Sequence, residues 1–192
     1  MGQDKAVLTY KGKSLLKKQV DLVREAGATN VWISCRREQV ATFADLVNSE
    51  VSWILDPDPD RNLGPLGGLV AAFKAISEEL VFVVAVDLPA INVPLVHEIL
   101  SRGKLGGGCV PALRGHYEPL CALYSRSEAL AVGHSFLEIQ SLRLQDWVRH
   151  LVRSGSVVPW DCPIEWVSNF VNPNTPEAWL EAATLPTDPM PP

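Results

Sequence analysis

An aspartate directly follows the most apolar segment of the sequence. Residues 80–86 read LVFVVAV, a run rich in β-branched residues that is typical of a parallel strand covered by helices on both faces. Pro89 stops that strand from continuing, so we expect Asp87 at the rim of a sheet. A carboxylate in that position is suited to bind magnesium together with substrate phosphates. The alternative is a turn aspartate that only bonds its own backbone.

A glycine-rich turn, GPLGG over residues 64–68, opens a predicted helix. Gly64 and Gly67 would let the backbone approach a ligand closely, and the free amides of a helix start favour an anionic or polar group. The spacing matches neither of the common phosphate-binding fingerprints. A turn with close helix packing is therefore the alternative.

Other polar residues near predicted strand ends are candidates for contacting a nucleotide. Lys5 carries a compact charge suited to triphosphate oxygens, although an exposed terminal lysine usually has no role. Asp56 and Asp58 lie in the loop DPDPDRNLG and could accept from a base amino group or be solvated. His116 and Glu118 in RGHYEP could act on a substrate, or the histidine could simply be exposed. No HExxH or Ser/His/Asp order supports a hydrolase.

Helices and strands alternate through the first half of the sequence. The hydrophobic periodicity predicts helices over 14–26, 38–47 and 66–77, and strands over 30–35, 51–55 and 80–86. This alternation favours an α/β, three-layer Rossmann-like fold with a mostly parallel sheet, whose ligands bind beyond the carboxyl ends of the strands. The second half is less regular. It predicts strands over 108–111, 120–124 and 156–160, and a helical region over 128–152.

Length and composition limit the classes of protein. We expect residues 1–184 to form one domain, because 192 residues are too few for two ordinary domains, and residues 185–192 to form a disordered proline-rich tail. The sequence has a net charge of -5 and no basic stripe that could bind nucleic acid or an anionic membrane. No segment has the apolar length of a membrane span, which predicts a cytoplasmic protein. The four cysteines form no CxxC pair and are expected to be buried or idle thiols.

Five segments, taken in order, resemble the successive motifs of the molybdenum cofactor guanylyltransferase (MobA-like) family. They are MGQDKAVLTYKGKSLL, LDPDPDRNLGPLGGLVAAF, VFVVAVDLPAI, EPLCALY and NFVNPNTPEAWLEA. Each motif is modest, but their joint order and spacing argue against coincidence, and together they cover almost the whole sequence. The resemblance implies a nucleotidyltransferase fold. The GPLGG turn is more similar to the guanylyl-transferring members than to their cytidylyl-transferring relatives.

The resemblance also implies a reaction, in which GMP from GTP is joined to the phosphate of molybdopterin and pyrophosphate leaves, with magnesium bridging the phosphates. Lys5 would hold GTP phosphates, Asp56 would lie near the guanine, and Asp87 would bind magnesium and GTP. Ser34 falls where some relatives have a nucleotide-contacting asparagine. The residues that the resemblance assigns to GTP are Lys5, Ser34, Asp56, Gly64, Gly67 and Asp87, with Lys5 and Asp87 as the catalytic pair.

Two asparagines align with residues thought to face the pterin in that family. They are Asn172 and Asn174, and Asn174 could equally be only a helix cap, since Pro176 follows in the first turn of a predicted helix. Molybdoenzymes or their chaperones are the partners that the resemblance implies for the product.

The amino terminus departs from the family pattern. Family members begin with a strand and a glycine-rich loop resembling LAGGxSxRMGxDK, whereas this sequence begins inside that motif, at MGQDK. The resemblance implies that the first strand, the triphosphate loop and its arginine are absent, which would leave unpaired strand edges and an apolar groove. It also suggests that Met1 is an internal methionine of a longer reading frame. Mass spectrometry of the native protein would contradict this by finding Met1 or Gly2 at the terminus.

The sequence is also compatible with two alternative functions. One is a transferase on the same fold that uses CTP or a sugar phosphate. The other is a non-catalytic, truncated relative that binds a partner through an exposed strand edge. A measurement of nucleotide preference would distinguish the first alternative from a guanylyltransferase. An in-frame LAGG-like stretch in the upstream DNA would argue against the second alternative.

Overall fold

The computed structural model describes residues 4–47, 50–56, 63–103 and 107–172. The α-helices within these ranges are α1 (Leu15–Glu25), α2 (Val40–Val47), α3 (Gly64–Ala75), α4 (Val93–Gly103), α5 (Arg126–Glu138) and α6 (Leu144–Arg153). The strands are β1 (Thr9–Tyr10), β2 (Lys13–Ser14), β3 (Trp32–Cys35), β4 (Ser52–Leu55), β5 (Leu80–Val84), β6 (Cys109–Leu113), β7 (His116–Tyr117), β8 (Cys121–Ser125) and β9 (Val158–Asp161). Short 3₁₀ helices cover Lys5–Val7, Arg37–Gln39 and Ile164–Phe170. No described helix is long and apolar enough to cross a membrane.

Helices lie on both faces of the sheet, as the three-layer fold requires. Along β8, Tyr124 packs with Phe73 of α3 and Trp147 of α6, at ring-centroid distances of 5.8 and 5.0 Å. Leu123, the residue before Tyr124 in the strand, packs with the apolar side of α4 around Ile99. Successive side chains of a strand point to opposite faces, so β8 separates two cores.

The strands form a mixed sheet system rather than a mostly parallel one. β3 and β4 pair in parallel as a two-stranded sheet, and β6 and β9 pair in parallel within a five-stranded sheet ordered β5-β8-β6-β7. The pairs β5-β8, β6-β8 and β6-β7 are antiparallel. The pair β6-β7 is antiparallel because only Arg114 and Gly115 connect the two strands, and such a tight connection cannot produce parallel neighbours.

The strand that we expected to be covered on both faces lies at an edge of the described sheet. Within the described residues β5 pairs only with β8, and its residues from Val81 to Val84 are half-buried rather than buried. The side of β5 away from β8 faces a cavity of about 740 Å³, which β3, α1 and α3 also line. β3 likewise pairs only with β4 among the described strands. Among the described strands, the edges of β3 and β5 therefore border a largely apolar groove.

Three local expectations needed adjustment. The region predicted as one helix over 128–152 is two helices, because α5 ends at Glu138 and the backbone of Gln140 has a positive φ of 54°. Helix α3 begins at Gly64, two residues earlier than predicted, with Pro65 in its first turn, where a missing amide costs nothing. An unpredicted hairpin joins β1 and β2 through Lys11 and Gly12, whose φ values of 48° and 82° suit a tight two-residue turn.

Candidate functional site

Three polar side chains from distant parts of the chain meet just beyond the carboxyl end of β5. Lys5 Nζ donates to Asp87 Oδ2 at 3.0 Å and to Asn172 Oδ1 at 3.2 Å. Asn172 Nδ2 donates to the same Asp87 oxygen at 2.7 Å. The lysine and aspartate side chains are 31% and 24% exposed, so the cluster is accessible to a ligand. The structure thus brings together three of the residues predicted for the site.

Asp4 positions Lys5 from the preceding residue. Its Oδ1 accepts from Ala6 N at 3.0 Å, which makes Asp4 the N-cap of the 3₁₀ helix that contains Lys5. Its other oxygen accepts from Gln39 Nε2, after β3. The acidic residue of the MGQDK motif therefore fixes the backbone that presents the lysine.

Two buried amide side chains hold the turn that carries Asp87. Gln19 of α1 donates from Nε2 to Leu88 O at 2.8 Å, and Asn169 donates from Nδ2 to Ala90 O at 2.7 Å. Both side chains lie in the core, at 5% and 8% exposure. Buried polar groups are costly unless they are bonded, so these contacts fix the direction in which the turn leaves β5.

Sequence reasoning missed Gln19 and Asn169 as site residues. Gln19 had a signal, because it is a polar residue on the same helix face as the buried Leu15, Leu16 and Val20. A polar side chain on an apolar helix stripe needs a partner inside the core. Asn169 had no comparable signal, since only the fold reveals that it faces the turn.

A second pair of predicted residues meets at the carboxyl ends of β3 and β4. Ser34 Oγ donates to Asp56 Oδ1 at 2.8 Å, and both residues are exposed. Gly68 lies next to them: a Cβ atom placed on it would be 3.5 Å from both Ser34 Oγ and Asp56 Oδ1. The pair and the start of α3 therefore form one end of the cavity described above.

The two glycines predicted for the nucleotide differ in their surroundings. Gly64 is exposed, lines the cavity and has a φ of 58°, a left-handed conformation that glycine adopts without steric cost. Gly67 is buried, and a Cβ atom there would lie 2.5 Å from Leu63 Cβ. Gly67 thus meets the requirement for close packing at the helix start. Direct nucleotide contact by either glycine stays a prediction.

Both polar clusters have residues close to the end of β3. Burial raises the pKa of the Cys35 thiol, and the negative charges of Asp56, Glu38 and Asp4 raise it further. The hydrogen bonds agree with this placement, because Asp56 N donates to Cys35 O at 2.9 Å and Asp4 accepts from Gln39, which follows β3. The Ser34–Asp56 pair and the segment carrying Lys5 therefore border the same strand end.

The other predicted residues lie elsewhere or outside the described ranges. His116 is an exposed residue of β7, and Glu118 is half-buried near Cys121 and Cys162, whose thiol pKa values its charge raises after the larger effect of burial. Asp58, Asn174 and the tail over 185–192 are outside the described residues.

The side chains around Asp87 suit a magnesium ion whose ligands come partly from the protein and partly from a substrate. No group of three His, Cys, Asp or Glu side chains in the described residues could hold a metal by itself. Magnesium usually binds through one or two carboxylates plus phosphate oxygens and water, so a complete protein cage is not needed. The Asp87 carboxylate and the Asn172 amide oxygen are hard oxygen donors of the right kind.

Comparison with known proteins points to one family. A family model described as "MobA-like NTP transferase domain" matches residues 1–154. A molybdenum cofactor guanylyltransferase from Xanthomonas euvesicatoria is 32% identical over 180 residues, which is 93% of this chain and 85% of that protein. A probable molybdenum cofactor guanylyltransferase from Opitutus terrae is 33% identical over 180 residues, 92% of this chain and 85% of that protein.

A solved structure shares the fold. The molybdopterin-guanine dinucleotide biosynthesis protein A from Archaeoglobus fulgidus superposes with a TM-score of 0.70 at 23% identity, over 95% of this chain and 90% of that one. Its likeness supports the α/β nucleotidyltransferase architecture.

Proposed function

The chain belongs to the MobA-like NTP transferase family, and we propose that it is a molybdenum cofactor guanylyltransferase that uses GTP and molybdopterin. A phosphate oxygen of molybdopterin attacks the α-phosphorus of GTP. The bond from that phosphorus to the β-phosphate oxygen breaks, and pyrophosphate leaves with the electron pair. The observation that carries the proposal is the cluster of Lys5, Asp87 and Asn172 beyond β5.

Lys5 and Asp87 have complementary tasks in this proposal. The Lys5 ammonium binds triphosphate oxygens, because it is a compact cation with three donors and its backbone is fixed by Asp4. Asp87 is the carboxylate that holds magnesium. When bound, magnesium neutralises charge on the phosphates. Charge stabilisation and positioning, rather than proton transfer by the protein, account for most of the catalysis expected here.

The remaining predicted residues have binding roles in the proposal. Asp56 accepts hydrogen bonds from the guanine, and Asn172 and Asn174 face the pterin. Gly64 and the first turn of α3 lie close to the nucleotide. Molybdoenzymes or their chaperones receive the product, and a cytoplasmic location stays a prediction.

The test is a measurement of nucleotide binding and turnover by the chain. We expect GTP with magnesium, but not CTP, to raise the melting temperature and to release pyrophosphate when molybdopterin is present. Asp87→Ala should lower turnover by about a hundredfold or more, since it removes the carboxylate that neutralises phosphate charge. Asp161→Ala, in an exposed position on β9, is the matched control and should behave like the wild type.

Each other outcome identifies one alternative. Selective binding of CTP would replace the guanylyl transfer with cytidylyl transfer. Absence of binding to any nucleotide, in a protein with a cooperative melting transition, would contradict the enzyme and support a non-catalytic relative.

A further inference from the structure

The Ser34–Asp56 pair is set by the register of two parallel strands. Ser34 is the third residue of β3 and pairs with Ile54 of β4, and Asp56 directly follows β4. The backbone continues this pairing, because Asp56 N donates to Cys35 O at 2.9 Å. Both residues are therefore held by the ladder, and Ser34 reaches Asp56 from a fixed position.

The serine hydroxyl restrains one half of the Asp56 carboxylate. Ser34 Oγ donates to Oδ1 at 2.8 Å. No donor to Oδ2 exists among the described residues. A carboxylate has about four acceptor positions, so Oδ2 and the second lone pair of Oδ1 can still accept from a ligand. The hydrogen bond limits rotation of the carboxylate about its Cβ–Cγ bond.

Guanine suits such a restrained carboxylate. Its N1–H and its N2 amino group are adjacent donors on one edge, and a carboxylate can accept from both in parallel. Cytosine and adenine place an acceptor next to a single amino group on the same edge. Parallel bonds require the carboxylate plane to match the plane of the base, which a freely rotating side chain would satisfy only part of the time.

We propose that Ser34 is a positioning residue that selects guanine by orienting Asp56, rather than a direct nucleotide contact. This proposal rests on the proposed function, in which the nucleotide is GTP. The packing of Gly68 beside both side chains supports it, because the start of α3 limits the space into which the pair could move. The guanine preference then depends on two residues from neighbouring strands.

Inosine triphosphate provides a sharp test, because it differs from GTP only by lacking the 2-amino group. We expect the wild type to bind GTP more tightly than ITP in calorimetry with magnesium. Ser34→Ala should lower the ratio of the two affinities by about threefold to tenfold, as expected for one hydrogen bond to a restrained acceptor. Ser34→Thr keeps the hydroxyl and should restore the ratio. Ser52→Ala, in an exposed position on β4, is the matched control.

A double-mutant cycle separates positioning from direct contact. If Ser34 acts through Asp56, then Ser34→Ala should have no further effect on GTP affinity in an Asp56→Ala background. Additive losses would mean that the serine contacts the nucleotide itself and would overturn the proposal. An unchanged ratio of GTP affinity to ITP affinity in Ser34→Ala would also overturn it. If the wild type still bound GTP, that result would not contradict the proposed guanylyltransferase function. Failure of the wild type to bind GTP would refute both.

Discussion

Lys5 and Asp87 are 82 positions apart in sequence, and their charged groups meet at 3.0 Å beyond the end of β5. The pair is partly exposed, and ion pairs of this kind contribute only about 0–1 kcal/mol to stability. The ion pair therefore contributes little to the stability of the fold. In the proposed function the two charges serve ligand binding instead, with Lys5 on the triphosphate and Asp87 on magnesium.

Replacing Lys5 should mainly weaken nucleotide binding. We expect Lys5→Ala to raise the KM for GTP by roughly tenfold to a hundredfold, because it removes charged donors to the triphosphate. Lys5→Arg should restore binding only in part, since the planar guanidinium does not fit where a compact ammonium did. Steady-state kinetics will show this, with Lys74→Ala at the exposed end of α3 as the control. An unchanged KM would remove Lys5 from the site.

Adjacent glycines in α3 should respond differently to alanine. Gly67→Ala should lower the free energy of unfolding by about 1–3 kcal/mol, because its Cβ would lie 2.5 Å from Leu63 Cβ, close to the backbone, where little adjustment is possible. Gly68→Ala should leave the free energy of unfolding unchanged or raise it slightly. The nearest atoms to the added Cβ would be at 3.5 Å, and alanine favours helices. Urea unfolding measures both. Equal effects would show that the helix start adapts freely.

Glu118 should make stability depend on pH. Burial raises its pKa above the ordinary 4.5, so the folded state holds the proton more tightly than the unfolded state. Its contribution is then fully present below the unfolded-state pKa and is lost as pH rises through the folded-state pKa. We expect Glu118→Gln to melt at a higher temperature than the wild type at pH 7, and the difference to vanish toward pH 4. Glu138→Gln, at the exposed end of α5, is the matched control.

Backbone amides of β5 should alternate in hydrogen exchange. Ala85 N donates to Leu120 O, and Arg126 N donates to Glu79 O, so odd-numbered residues of the strand are the ones bonded to β8. The amides of Phe82 and Val84 then point toward the cavity between β3 and β5. We expect them to exchange faster than those of Val81 and Val83 when followed by NMR. Equal protection would show that another strand or ligand occupies the cavity.

Several elements could be predicted from the sequence because their signals are local. Helix α1 has an apolar stripe and a Ser14 cap that accepts from Lys17 N, and both signals lie within a few residues. The position of Asp87 after a β-branched run was correct for the same reason. Ordered motifs also indicated the family, and with it the chemistry.

Pairing between strands could not be predicted in this way. The apolar run of β5 predicted two covered faces and parallel neighbours, but its described neighbour is the antiparallel β8. A strand's own residues determine that it is extended and apolar, whereas its partner depends on which other segments reach it.

The sequence by itself therefore determined several of the helices and strands, the family and most of the candidate residues, because these depend on spacing along the chain. Only the tertiary structure decided that Lys5 meets Asp87 and Asn172, that Ser34 holds Asp56, and that the buried Gln19 and Asn169 brace the turn after β5. Those contacts join residues far apart in sequence, and they exist only once the packing of the whole core has placed the strand ends side by side.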